Sequence, residues 1–211
     1  SPKAFVDGYL DMLDKAGLKP VALEVESQSC RRAVLPPGSG ETALLVDIEG
    51  GRTSMIMVEN GSLQFTSTIP VAGNSFTESI ATSLGVSAAK ASDIKKRVGI
   101  ANTAEYPNIK IALLPVLNSL AAEIKNILKF HNEHSNKQVE RVILSGGGAR
   151  LRSLLEFLTP QLQEAGINKV ELANPLQNLG VQQAGGLDQL QALGFTTAIG
   201  LALRGAKYQV E

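Results

Sequence analysis

The sequence predicts an α/β lobe in which a three-strand antiparallel meander leads into parallel strands covered by helices. Three observations carry this. The apolar or alternating runs Thr42 to Ile48, Thr53 to Glu59 and Ser62 to Ile69 follow one another, and Asn60-Gly61 joins the last two. Asn-Gly marks a hairpin because both central positions of a type I′ turn need φ > 0. After the meander, helical spacing alternates with single strand-like runs, an arrangement that makes the strands parallel and sets helices against the sheet. Finally, the stretch from Val142 to Leu151 runs from a buried-type strand into Gly146, Gly147 and Gly148 and then a helical pattern, so backbone at that junction can come very close to something.

Composition narrows the function. The 211 residues are 44% apolar, ample for a core, and twenty basic residues balance twenty acidic ones. Zero net charge removes the footprint of a nucleic-acid or anionic-lipid binder, so neither is expected as a partner. No unbroken apolar run approaches the roughly 20 residues of a spanning helix, and the N-terminus lacks a signal-peptide layout. The expectation is a cytoplasmic protein with no direct membrane span. Cys30 is the one cysteine, inside a packed helix pattern, so no internal disulfide forms. His131 and His134, spaced i, i+3 with no further ligands nearby in sequence, read as surface side chains.

In chain order, Ser1-Pro2 opens a short amphipathic helix carrying Phe5, Val6, Tyr9, Leu10 and Leu13 and ending at Gly17. Pro20 to Glu26 reads as a strand, and Ser27 caps a second helix through Leu35. Pro36-Pro37-Gly38-Ser39-Gly40 is a linker. Beyond the meander, Phe76, Ile80 and Leu84 mark a helix closed by Gly85, and Ser87 caps another to about Val98. A long helix is expected from about Ile109 to Phe130, kinked or started late at Pro115. Val139 to Ser145 is a strand, a helix from about Leu151 breaks or restarts at Thr159-Pro160, Val170 to Leu172 is a last strand, and a small-residue-rich helix covers about Leu193 to Arg204. The string after the linker, β-β-β-α, extra helices, then β-α-β-α, is the layout of a ribonuclease-H-like layer, with residues 87–107 as a helical insertion.

Two glycine loops bear on chemistry. At the first, Asp47-Ile48-Glu49-Gly50-Gly51-Arg52-Thr53, an Asp at the strand end can hold hydrated Mg²⁺, while glycine amides and the Thr hydroxyl can bond phosphate oxygens. Taken alone it reads first as an ordinary hairpin loop with a solvated Asp. The second, Ser145 to Gly148, is either a tight turn or a loop that faces an anion or a flat ligand.

Asp47 to Thr53 resembles the second phosphate motif of the actin-like ATPase superfamily, and Leu144-Ser145-Gly146-Gly147-Gly148-Ala149 resembles its adenosine motif. Ala91-Ser92-Asp93-Ile94-Lys95-Lys96 looks like its adenine-side helix. Asn174-Pro175-Leu176 and Ala198 to Gly205 are most similar to the type IV pilus assembly family PilM, related to FtsA. The resemblance implies an actin-like lobe with ATP and Mg²⁺ as cofactors. Asp47 would reach the metal through water, Gly50, Gly51 and Thr53 would line the phosphates, Gly146, Gly147 and Gly148 would pass beneath the adenosine, and Lys95 and Glu123 would flank the base or ribose.

Two departures from the family pattern stand out. Glu49 occupies a position usually held by glycine, and no first phosphate motif is present. On that reading residues 1–40 are the closing α-β-α unit of a preceding lobe plus linker, 41–211 are the second lobe, and the chain is a C-terminal portion with at most weak ATPase activity and no identifiable catalytic base. The resemblance further implies a cytoplasmic scaffold of the pilus inner-membrane platform, recruited to the membrane by the cytoplasmic tail of a PilN-like protein and by other platform components. The alternative is an actin-fold secretion scaffold that binds no nucleotide.

Overall fold

The computed structural model describes residues 3–181 and 185–208. Among them β1 (Ala43–Ile48), β2 (Thr53–Glu59), β3 (Ser62–Ile69), β4 (Arg141–Ser145) and β5 (Lys169–Leu172) form one five-stranded sheet in the order β3-β2-β1-β4-β5. The β1–β2 and β2–β3 pairs are antiparallel, and β1–β4 and β4–β5 are parallel. This is the expected mixed sheet. β1 is buried at every position, as its near-continuous apolar run requires of a central strand, whereas β3 alternates exposed and half-buried up to its last residue because it forms an edge. The β2–β3 turn holds Asn60 at φ 51° and Gly61 at φ 70°, the left-handed pair a type I′ turn demands.

The helices are α1 (Lys3–Lys15), α2 (Glu26–Val34), α3 (Gly73–Leu84), α4 (Ala88–Val98), α5 (Ile109–His134), α6 (Leu154–Gln163), the single turn α7 (Gln189–Ala192) and α8 (Thr196–Tyr208). Their ends follow local chemistry: Gly85 closes α3 in the left-handed conformation, and the Ser87 hydroxyl accepts from Lys90 N–H to start α4. α2 packs against α8, and α3 packs against both α4 and α5. Cys30, Ala33 and Val34 of α2 join the strands, α3, α5 and α6 in one apolar core. α5 is long and apolar enough to cross a bilayer, but Leu113, Leu117, Leu120 and Ile124 spend its apolar stripe inside that core.

Several expectations give way. Residues 20–25 form no ladder, since no described strand pairs with them. Their alternation survives: Val21, Leu23 and Val25 are 82%, 51% and 57% exposed, while Glu24 turns inward to Arg32 (2.6 Å) and Arg204 (2.7 Å). Pro115 neither delays nor divides α5, which runs unbroken from Ile109. The helix after the glycines starts at Leu154 instead of Leu151 because Ser153 sits in the left-handed region at φ 66°, and it passes through Pro160. His131 is buried, not on the surface, with Nε2 3.0 Å from the Lys137 carbonyl.

Candidate functional site

Asp47 of β1 lies opposite Ser145 of β4 in the parallel ladder, so the loops that follow these strands leave the sheet side by side. Crevices in open α/β sheets form at such carboxyl ends. The glycines do different work there. Gly146 has φ 80°, and a Cβ on it would fall on the Ile48 carbonyl; one on Gly148 would fall on the Ile48 side chain. Both are required for the loop to cross the end of β1. Gly147 is different, since an added Cβ would meet nothing within 4 Å. The run is therefore a tight structural crossing at two positions and open surface at the third.

A cleft of about 460 Å³ lies between the two loops and α4, lined by Glu49 and Gly50 on one side, Gly147, Gly148 and Arg150 on the other, and Lys95 and Lys96 from α4. Its floor is the start of α3. The N–H groups of Gly73 and Asn74 donate to the carbonyls of Glu49 and Gly50, each at 2.8 Å. Two of the free donors that make a helix N-terminus attractive to anions are thus used to hold the hairpin loop.

Asp47 is 1% exposed. Its Oδ2 accepts from the Cys30 thiol at 3.6 Å and its Oδ1 has no partner. Burial first, and the Glu49 carboxylate second, push its pKa from 3.8 up to about 6. The same burial and the Asp47 charge hold the Cys30 thiol far above its usual range. An orphaned buried oxygen at a strand end is of the kind a carboxylate serving a hydrated cation presents, although Asp47 lies behind Glu49 in the chain and is not itself among the residues that line the cleft. Glu49 is half-buried, and burial and Glu26 raise its pKa while Arg52 opposes them. Arg52 itself pairs with Glu26 at 2.6 Å, and Gly51 lies with those two residues and Glu49 around a smaller cavity.

Lys95 reaches the cleft, but its ammonium donates to the Gly73 carbonyl (2.7 Å) and the Thr77 hydroxyl (2.8 Å), leaving one of three N–H donors for a ligand. Burial, then Lys96, lowers its pKa. Two residues expected at the site are turned to other work. Thr53 is fully buried, and its hydroxyl donates to the Val71 carbonyl at 2.6 Å, bracing the hairpin. Glu123 does not line the cleft, to which α5 contributes no residue; α5 packs instead on α3 and α6. Conversely, Asn74 and Arg150 line the cleft and were not singled out from the sequence. Arg150 had a legible signal, a cation between the apolar Ala149 and Leu151 just past the glycine run. Among the described residues no group of three or more His, Cys, Asp and Glu is arranged to hold a bare metal ion.

The family described as type IV pilus assembly protein PilM matches residues 2–206. The chain is 24% identical over 212 residues to the cell division protein FtsA of Neisseria meningitidis, covering 90% of this chain and 49% of that one. FtsA of Bacillus subtilis is also 24% identical, over 82% of this chain and 43% of its own. The chain therefore spans about half the length of these relatives. Among solved structures, a PilM–PilN type IV pilus biogenesis complex superposes with a TM-score of 0.74 and 30% identity over 95% of this chain and 57% of that one. MreB5 of Spiroplasma citri bound to AMPPNP gives a TM-score of 0.70 at 15% identity, over 97% and 65% of the two chains, and supports the actin-like fold alone.

Proposed function

Because this chain belongs to the PilM family of type IV pilus assembly proteins, we propose that it is the nucleotide-facing lobe of a pilus assembly scaffold. Its cleft takes Mg-ATP, and its larger role is to dock partners of the inner-membrane platform. The observation that carries the nucleotide reading is that both glycine loops, Gly50 and Gly147-Gly148, line one cleft together with Lys95. Asp47 would hold Mg²⁺ through water, and the ion would offset the charge of the phosphates. The open backbone at Gly147 gives a nucleoside room to lie against, and the third Lys95 donor remains for the ligand. The proposal is binding and assembly ahead of turnover.

The partner is a PilN-like cytoplasmic tail, in line with the solved complex of a 30% identical relative, and it would bring a cytoplasmic protein to the inner membrane. Residues 1–40 are the closing unit of a preceding lobe plus linker, with α2 packed into the core of the lobe described here. In support, α1 has no buried residue, and Phe5, Tyr9 and Met12 on one side of it are at least half exposed, as are Val21, Leu23 and Val25 in the unpaired segment. The rest of that preceding lobe would cover them.

The test is Mg-ATP titrated against the thermal unfolding of the chain, beside the Asp47→Ala variant. A rise in midpoint that the variant lacks supports nucleotide binding, and no rise in the unaltered chain sinks it. A second reading, an actin-fold scaffold without nucleotide, rests on Glu49, a carboxylate at the phosphate end of the cleft that repels an anionic ligand. Co-purified adenine nucleotide, measured after acid extraction, would exclude that reading.

A further inference from the structure

The two edges of the sheet are built differently. β5 is four residues long and carries Lys169 and Glu171, which pair at 3.0 Å while Arg141 of β4 holds Glu171 at 2.6 Å. Short length and charge are how proteins keep an edge from pairing with another chain. β3 has neither protection. Its eight residues include no charge and no proline, and Phe65, Thr66, Thr68 and Ile69 favour a pleated strand. The ladder with β2 skips Gln64, so a bulge bends the start of β3 and leaves Phe65 to Ile69 as its straight part. Among the described residues no strand lies on its far side, so alternate N–H and C=O groups there have no ladder partner.

A cavity of about 500 Å³ opens beside this strand, and its walls include Phe65 of β3, Phe130 and His134 near the end of α5, and Glu59 and Lys137. The rings form a row. Phe65 meets Phe130 edge-on with centroids 5.3 Å apart, and Phe130 stacks on His134 at 4.3 Å. Phe130 is nevertheless 48% exposed. The charges answer one another, since Glu59 accepts from the Ser135 hydroxyl at 3.0 Å and pairs with Lys137 at 3.6 Å. What remains unmet in the cavity is aromatic surface.

Strand and cavity together fit one kind of ligand. When an extended chain adds to a sheet edge, main-chain hydrogen bonds supply affinity and pockets for alternate side chains supply specificity. A residue opposite Phe65 on an added strand would have its Cβ about 4.5–5.5 Å from that of Phe65 and on the same face, at the entrance of the cavity. A ring there could take the offset or edge-to-face packing that aromatic side chains prefer.

We propose that β3 is a docking edge: an extended segment of a partner protein joins the sheet as a further strand and sets an aromatic side chain against Phe65 and Phe130. A second copy of this chain is a poorer occupant, because the one ring its own β3 could offer, Phe65, is already packed on Phe130. The surface lies beside Glu59, at the opposite end of the sheet from Asp47 and the glycine loops, and does not depend on the nucleotide reading.

The chain contains no tryptophan, so a tryptophan-bearing peptide reports its own binding. The probe is a short peptide of alternating valine and threonine with lysine at each end and one central tryptophan. Titrated with the chain, its emission should shift to the blue and saturate below about 1 mM, and hydrogen exchange at residues 65–69 should slow in the complex. Alanine in place of the tryptophan is expected to weaken binding at least about tenfold, measured by competition. Two N-methylated forms of the probe, one for each alternate set of peptide nitrogens, should differ: the form blocked on the side that faces β3 loses binding and the other keeps it. Phe130→Ala should weaken the probe by a similar factor at an unfolding midpoint close to that of the unaltered chain. Where that variant does not fold, exchange at residues 65–69 of the unaltered chain decides alone. No blue shift up to about 1 mM, no slowing of exchange at β3, or full binding by both N-methylated forms overturns the proposal. So does exchange at β3 that slows with protein concentration in the absence of peptide, together with a dimer in sedimentation, which assigns the edge to a second copy.

Discussion

The Asp47 carboxylate meets the Cys30 thiol at 3.6 Å through one oxygen, while the other oxygen is buried with no partner. The relationship joins the end of β1 to α2 and leaves a charge in the interior that the protein itself does not satisfy.

Its first consequence is a pH dependence. The folded-state pKa is raised from 3.8 to about 6, so Asp47 contributes stability that is complete below about pH 4 and is lost as pH rises through 6. The rise corresponds to on the order of 3 kcal/mol. Asp47→Asn, which keeps the shape of the protonated acid, should match the unaltered chain at pH 4 and exceed it by up to that amount at pH 8. Urea unfolding at a series of pH values measures the difference; a constant gap across the series would contradict it.

The three glycines should separate cleanly. Gly146→Ala and Gly148→Ala drive a methyl into Ile48 and are expected to cost about 1–3 kcal/mol each, with Gly146 higher because of its left-handed backbone. Gly147→Ala should stay within about 0.5 kcal/mol in stability while weakening nucleotide binding. Denaturation and titration of the three variants side by side provide the check.

Lys95 is expected to behave as a brace as much as a ligand contact. Lys95→Met removes both hydrogen bonds to α3 and should lower stability by about 1–2 kcal/mol even without ligand. Unchanged stability with lost binding would make it a contact alone.

Glu24 is held below its usual carboxylate range chiefly by the hydrogen bond from Arg32. A lowered folded-state pKa gives stability that is present above the ordinary value of 4.5 and disappears as pH falls. Glu24→Gln should therefore be less stable than the unaltered chain at pH 7, with the gap narrowing as pH falls below the ordinary carboxylate value, a trend readable from unfolding midpoints.

How legible this was depended on the range of the forces involved. Asn60-Gly61, Ser87 and Gly85 act within a few residues, and the turn, cap and stop they imply are where the sequence puts them. Residues 20–25 have the alternation of a strand, but a strand is a relation to a neighbour, and no described neighbour exists. Ser153 fixes the start of α6 through a left-handed backbone that no residue preference announces. At the site, the glycines and Lys95 were readable as types but not in their division of labour. Which glycine is crowded depends on where Ile48 lies, and the Lys95 ammonium is occupied because α3 begins beside it. Thr53 and Glu123 match a motif or a helix face, yet which way each turns is decided by tertiary packing.

At Gly200 the backbone of α8 comes so close to Ser29 of α2 that no side chain fits between them, and Arg32 ties the two helices again through the Gly200 carbonyl at 2.9 Å. Two helices in such contact cannot slide past each other and turn only as a single plate. That plate carries Cys30 against Asp47 at one end, and Glu24 fastens the segment leading from α1 to its edge. A turn of that plate is thus delivered to the Asp47 carboxylate at the end of β1, and the molecule has a stiff lever where a looser helix pair would have absorbed the motion.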